Sequence, residues 1–298
     1  MMKVLLIGSG GYIGRHLLYY SNKLGFETRH AGHKSEHPHE RNYTAVDITN
    51  PLDIEKLDFN VDIIIVTAGL TGTSQSFDRS QDFLMANESG LLNILNHRRR
   101  VRGNAKIVFL STRLVYEGAK NHFLKETDPL NPKTVYAVNK VACENYLKCY
   151  QGFFDIPYTV YRICVPYGNI FDNNYSYGTI GFFLSTALKN ENITLYGKGE
   201  PKRSFTHIED LCKLIIKSMP LESTKNGIFN IGGNDNTDLK TIASMVAKKF
   251  GVDLEYVEWP SAAATIESGD TMFDDSKIME LLDFNYKYKL EDWINNLP

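Results

Sequence analysis

Residues 3–14 read KVLLIGSGGYIG, and how this stretch is read decides the fold. Val4, Leu5, Leu6 and Ile7 form a continuous apolar run that stops at a glycine, the pattern of a strand buried on both faces. Gly8, Gly11 and Gly14 follow at even spacing, and GRHLLYYSNKLG (14–25) then carries Leu17, Leu18 and Leu24 at helical spacing, with Gly25 as its stop. A strand, a glycine turn and a helix in that order make a cradle for a dinucleotide. The first glycine permits the tight turn, the second lets backbone approach the pyrophosphate, and the third lets the helix pack on the strand. The helix N-terminus adds partial positive charge for the phosphates. Tyr12 and Ile13, between the second and third glycines, belong to the same cradle.

Working outward, ETRHAG (27–32) reads as a short strand, and VDIIIVTAG (61–69), KIVFLST (106–112) and YTVYRICV (158–165) repeat the buried-strand pattern. Helical candidates lie between them around 76–98 and 135–150. Strands alternating with helices imply an α/β fold, a doubly wound parallel sheet of the Rossmann kind, with ligands at the carboxyl ends of the strands. Residues 1–167 are expected to form the dinucleotide-binding core, with segments near 204–232 returning to it. Residues 168–298, where the texture becomes loop-rich, are expected to supply mainly a smaller substrate-binding lobe. A net charge of −2 over 298 residues gives no support for a nucleic-acid partner. The basic run HRRRVR (97–102) closes a helical pattern, where cations complement the helix dipole. Cys143, Cys149, Cys164 and Cys212 lack metal-ligand spacing and suit reduced thiols. The apolar run near the N-terminus is too short for a signal peptide or a membrane span. The expectation is a cytoplasmic protein without membrane association.

A site that prefers NAD carries Asp or Glu about 20 residues beyond the glycine turn, bonded to the ribose 2′-hydroxyl. Here that neighbourhood reads RHAGHKS, with Gly32 followed by His33, Lys34 and Ser35. A carboxylate would repel a 2′-phosphate, whereas the Lys34 ammonium and the Ser35 hydroxyl would accept one, with His33 counted beside them at the cofactor. NADP is therefore the expected cofactor, with NAD as the alternative. His30, His33, His37 and His39 fall in a polar, proline-containing loop without ligand spacing, so no metal is expected.

YAVNK (136–140) places Tyr136 and Lys140 on one face of a helix, and upstream FLSTRLVY (109–116) ends a buried strand at Ser111 and Thr112. A tyrosine with an ordinary pKa near ~10 is a poor acid–base at neutral pH, and a neighbouring ammonium moves it toward the working range. Thr112 can hold a substrate oxygen. With GSGGYIG, AVDITN, VTAG, ANESGLLNIL, STRLVY, YAVNK, RICVPYG, GKGEPKRSFTHIEDL and FNIGG in this order over nearly the whole length, the chain resembles an extended short-chain dehydrogenase/reductase of the nucleotide-sugar epimerase, dehydratase and reductase group.

That resemblance implies Thr112, Tyr136 and Lys140 as a catalytic triad, with Tyr136 and Lys140 also at the cofactor. It implies Asp47 and Ile48 at the adenine, Ala68 and Gly69 at the centre of the cofactor, and Asn87 near the active site. Arg203 would grip the diphosphate of a nucleotide-sugar substrate, beside Thr112 at the sugar. His207 and Asp210 are structural in this reading, with Asp210 capping the helix that begins LCKLIIK. The resemblance also implies a homodimer through helices near 87–98 and 135–150, unless the second of these faces is internal. Arg113 and Leu114 stand where 4,6-dehydratases carry the acidic pair that removes water, which disfavours a dehydratase. Val165 replaces an asparagine that touches substrate in epimerases. The leading expectation is an NADP-dependent reductase of a nucleotide-linked 4-keto-6-deoxy sugar. The alternative is an NAD(P)-dependent nucleotide-sugar 4-epimerase, and a non-catalytic dinucleotide sensor is the third reading.

Overall fold

The computed structural model describes residues 1–35, 41–171 and 177–298. Its backbone divides into two compact units. The first comprises residues 1–115, 134–162 and 215–229, and the second comprises 116–133, 163–214 and 230–298. Residues 116–133 thus pack with the second unit.

The first unit is organised by a seven-stranded sheet. Its strands are β1 (Lys3–Ile7), β2 (Glu27–Gly32), β3 (Tyr43–Ala45), β4 (Ile63–Val66), β5 (Lys106–Thr112), β6 (Tyr158–Ile163) and β7 (Gly227–Ile231), in the spatial order β7-β6-β5-β4-β1-β2-β3. β1 pairs in parallel with both β2 and β4, which puts the change of direction in strand order beside it. That crevice is where open α/β sheets bind ligands. Both faces of the sheet are apolar and covered: Leu5, Ile7, Ile64 and Val66 on one face and Val4, Leu6, Ile63 and Ile65 on the other are all within 2% of complete burial.

Helix α1 (Tyr12–Lys23) starts at Gly11 and turns Leu17, Leu18 and Tyr20 inward. Between 75 and 101 the expected single helix is broken. Two short helical pieces, Gln75–Asp78 and Ser80–Phe83, precede a π-helical turn over Leu84–Ser89, and α2 (Gly90–Val101) follows. The wider turn carries Asn87 into the interior, and such turns recur at functional sites. The basic end of α2 does more than complement the dipole. Arg98 is buried and its Nε donates to the Ala105 carbonyl at 3.0 Å, tying the helix end to the entry of β5.

α3 (Val135–Phe154) begins where the Thr134 hydroxyl accepts from the Ala137 N–H at 3.1 Å, and it ends at Asp155 in the left-handed region, φ 54°. On its buried face Glu144 meets Arg162 of β6 in a two-point ion pair, Nε to Oε1 at 3.0 Å and Nη2 to Oε2 at 2.6 Å. Both side chains are about completely enclosed, at 2% and 1% exposure, so each charge relies on the other.

The second unit has a three-stranded sheet. Its central strand Lys202–His207 runs antiparallel to Asp235–Asp238 and parallel to Val165–Tyr167. A two-stranded pair, Ile193–Tyr196 with Leu254–Val257, and the helix α5 (Leu239–Phe250) complete its frame, with α4 (Ile208–Ser218) leading from the central strand back to the first unit's segment 215–229. The Asp238 carboxylate caps α5 by accepting from the Thr241 N–H at 2.7 Å. Among the described residues no helix is long and apolar enough to cross a membrane.

Replacing Glu144 with Ala leaves the Arg162 guanidinium enclosed without its counter-charge. The expected cost is about 3–5 kcal/mol of unfolding free energy, measurable as a lowered urea midpoint at an unchanged slope.

Candidate functional site: a glycine-lined cleft and the helix face of Tyr136 and Lys140

In the first unit, the glycine turn is held from three sides. The Gly8 and Ser9 N–H groups both donate to the Ala31 carbonyl of β2, at 2.7 and 3.1 Å. The Thr67 hydroxyl at the end of β4 lies 3.0 Å from the Gly8 carbonyl as donor. Gly8 has φ +104°, open only to a residue without a Cβ. A Cβ on Gly14 would collide with the Gly8 carbonyl oxygen, so the third glycine is what lets α1 sit against the turn. No side chain caps the first turn of α1 at Gly11, and no acidic residue stands in that turn. The positive end of its dipole thus favours an anion there.

A cavity of about 540 Å³ opens over this turn. It is lined by Gly8, Gly11, Gly32, His33, Lys34, Asp47, Ile48, Ala68 and Gly69, which brings together most of the cofactor residues expected from the sequence. Thr67, Tyr43 and Thr49 line it as well and were not anticipated. Thr67 directly precedes the AG of VTAG and could have been found there; Tyr43 lies in a three-residue strand too short to read. The Asp47 carboxylate accepts from both the N–H and the hydroxyl of Thr49, at 2.9 and 2.8 Å, which fixes the wall on that side. The glycine turn without Cβ atoms, the uncapped helix end and the cavity volume fit a dinucleotide.

Asn87 works through the backbone beside this cavity. Its Oδ1 accepts from the Leu70 N–H at 2.8 Å, and its Nδ2 donates to the Leu70 carbonyl at 3.1 Å. The π-turn therefore clamps the strand end that presents Ala68 and Gly69. Glu88, next in sequence, accepts from Asn139 Nδ2 at 2.5 Å and from the Tyr146 hydroxyl at 2.8 Å, joining the turn to α3.

On α3, Lys140 is buried and its Nζ donates to the Leu110 carbonyl of β5 at 2.9 Å. The ammonium lies 5.8 Å from the Tyr136 ring centroid and 4.5 Å from that of Phe109. Burial pushes the lysine below its ordinary pKa, while Cys143 and Glu144 oppose the fall. Tyr136 is 8% exposed, its ring at a near-right angle to that of Phe83 with a centroid distance of 6.4 Å. Thr112 ends β5, also at 8% exposure, and its Oγ1 accepts from the Leu114 N–H at 3.3 Å. Lys140 thus joins the helix of Tyr136 to the strand of Thr112. The neighbouring Ser111 hydroxyl is buried without a hydrogen-bond partner.

In the second unit, Arg203 is buried at 2% exposure. Its Nη1 donates to the carbonyls of Lys202 and Gly269, at 2.8 and 2.6 Å, and its Nη2 to Glu267 Oε1 at 2.5 Å. The guanidinium is directed at the 267–269 loop. Asp210 does not cap a helix starting at Leu211, as the sequence suggested. α4 begins at Ile208, and the Asp210 carboxylate instead accepts from the N–H groups of Lys287 and Tyr288, at 2.8 and 3.0 Å. Burial raises its pKa, and those two N–H groups oppose the rise. The His207 ring receives the Glu209 N–H at 3.3 Å and stacks on Tyr288 at 3.8 Å. No group of three metal-ligating side chains occurs among the described residues; His37 and His39 lie outside them.

A chain with this sheet, glycine turn and Tyr–Lys helix face is an α/β dinucleotide-type enzyme. Residues 4–232 match the NAD dependent epimerase/dehydratase family, and the chain belongs to that family. A Methanocaldococcus jannaschii protein that carries the provisional name UDP-glucose 4-epimerase is 27% identical over 255 residues, 83% of this chain and 82% of that one. A UDP-N-acetyl-alpha-D-glucosaminuronate decarboxylase of Bacillus cytotoxicus is 26% identical over 81% of this chain and 78% of its own. The UDP-glucose 4-epimerase of Thermus thermophilus, solved in complex with NAD, shares the fold with a TM-score of 0.85 at 23% identity, covering 99% of this chain and 97% of that one.

Gly14→Ala forces either the turn or α1 to move. About 1–3 kcal/mol of stability should be lost to overpacking, with dinucleotide binding abolished. Parallel urea melts and fluorescence titrations check the two effects.

Proposed function

We propose that the chain is a nucleotide-sugar 4-epimerase that works with a retained NAD(P). The observation that carries this reading is the union of Tyr136 and Lys140 on one face of α3 with Lys140 bonded to β5 just before Thr112. Arg113 and Leu114, next after Thr112, offer no acid or base for removing water, so the site can exchange a hydride and a proton at one carbon but not dehydrate. The relatives named for epimerase activity support this choice over the reductase that the sequence placed first.

In this mechanism Tyr136 takes the proton from the C4 hydroxyl of the sugar and returns it once the other face has been reduced. The Thr112 hydroxyl bonds the same oxygen and fixes the distance of transfer. The bound nicotinamide supplies the hydride exchange at C4. The Lys140 ammonium, enclosed beside the tyrosine ring, favours the phenolate form. Its bond to Leu110 holds it in place without a second charge to neutralise it. For the nucleotide end, Arg203 is the proposed diphosphate ligand within the second unit, a role that requires Glu267 to give way to phosphate.

A 4-keto reductase is kept as the second reading because of the ribose end of the cavity. Gly32 supplies no carboxylate there, and His33 and Lys34 line the wall. This favours NADP as the proposed cofactor, the dinucleotide on which net reductions draw.

The test is incubation of the purified protein with a panel of UDP- and dTDP-sugars. The expected result is interconversion of C4 epimers at constant cofactor absorbance. NADPH oxidation that tracks a 4-keto-6-deoxy sugar would instead establish the reductase. Tyr136→Phe should lower turnover by ~10²–10⁴-fold and leave the dinucleotide dissociation constant unchanged. Comparable turnover in that variant would remove Tyr136 from the mechanism.

A further inference from the structure

Gly32 closes β2 without needing to be glycine for its backbone, since its φ lies outside the left-handed region. What it faces is Tyr43. A Cβ at position 32 would stand 3.2 Å from the Tyr43 hydroxyl oxygen and 3.7 Å from its Cε2, before any further side-chain atom is added. The phenol is fixed in this position from two sides. Its hydroxyl donates to the Lys34 carbonyl at 2.6 Å, and its ring lies 5.2 Å from the imidazole of His30. His30 is held in turn by the Ser9 hydroxyl at 3.0 Å under the glycine turn and by the Arg41 carbonyl at 3.3 Å. Register brings this about: β2 and β3 run in parallel with His30 opposite Tyr43 and Gly32 opposite Ala45.

We propose that Tyr43 is the residue that sets which dinucleotide this cavity accepts. It fills the space into which a carboxylate at position 32 would extend, and it pins the Gly32–Lys34 turn so that His33 and Lys34 border the cavity. Asp47, the acidic group among the described lining residues, has its Oδ1 occupied by Thr49 and its backbone N–H bonded to Asp53. Among the described residues, the ribose end thus offers His33 and Lys34 to a 2′-phosphate and has no carboxylate at position 32 to bond a free 2′-hydroxyl. The inference rests on the cavity's being the dinucleotide site and refines which member of the class it takes.

The experiment is a double-mutant cycle on the full chain, reading dissociation constants of NADP⁺ and NAD⁺ by quenching of protein fluorescence. The four proteins are the unaltered chain, Gly32→Asp, Tyr43→Ser and the double variant. The unaltered protein should bind NADP⁺ at least ~10-fold more tightly than NAD⁺. Gly32→Asp alone should weaken both ligands, because the new side chain meets the phenol. In the Tyr43→Ser background the same Gly32→Asp change should strengthen NAD⁺ and weaken NADP⁺, so its effect on NAD⁺ reverses sign. Equal effects of Gly32→Asp in both backgrounds would overturn the role of Tyr43, as would an unaltered protein that prefers NAD⁺. Absence of binding by either dinucleotide in the folded, unaltered protein would overturn the cavity assignment itself. If Gly32→Asp does not fold, Gly32→Ala tests the contact alone: it should weaken both dinucleotides beside Tyr43 and do so less in the Tyr43→Phe background, which lacks the first atom a Cβ would meet, and equal weakening in both backgrounds would overturn the role of Tyr43. Lys34→Gln should weaken NADP⁺ alone.

Discussion

The approach of α1 to the turn at Gly8 is the constraint on which the rest of the first unit depends. There the backbone of the turn, the start of the helix and the Thr67 hydroxyl occupy a space with no room for a side chain at position 14. Because β1 lies between β2 and β4, fixing this turn also fixes the two strand ends on either side of it. One of those ends presents Gly32 and Lys34; the other presents Ala68 and Gly69, the latter clamped from behind by Asn87. The cavity is therefore the outcome of a packing contact among glycines, with His33, Lys34, Tyr43, Asp47, Thr49 and Thr67 adding polar side chains to its wall.

The helix face of Tyr136 and Lys140 is organised by a different principle. Tyr136 and Lys140 are set by a helix that is itself anchored by charge, through Glu144 and Arg162, in a place where water cannot screen it. Leu110 then receives Lys140. Removal of bulk water strengthens the influence of the ammonium on the tyrosine and simultaneously makes that ammonium costly to maintain. A carbonyl partner gives the lysine a hydrogen bond without cancelling its charge.

How much of this was legible in the sequence follows from the range of each interaction. Strand β1, the glycine turn and α1 were readable because their determinants lie within a dozen residues of one another. The Tyr136–Lys140 face was readable for the same reason. Asp210 was misread because an acidic residue before an apolar run resembles a cap, while its partners are the N–H groups of residues 287 and 288. Glu144 acts on Arg162, 18 residues on; Arg98 and Tyr43 reach partners only 7 and 9 residues away, but across loops whose path no residue pattern encodes, and the break in the helix before Asn87 leaves no mark in hydrophobic spacing. Arg203 could be placed in a motif but not oriented, because Glu267 is far along the chain.

The strand order also dictates a timetable. β6 is an interior strand of the finished sheet, and its outer neighbour β7 is delivered only by residues 227–231. During synthesis from the N-terminus, the first six strands exist long before that neighbour does. For that interval β6 presents a bare row of hydrogen-bonding groups to its surroundings, the condition under which chains pair wrongly. Closing the cofactor-side sheet is thus a late event in the life of the nascent chain, waiting on some sixty residues that belong mostly to the other unit.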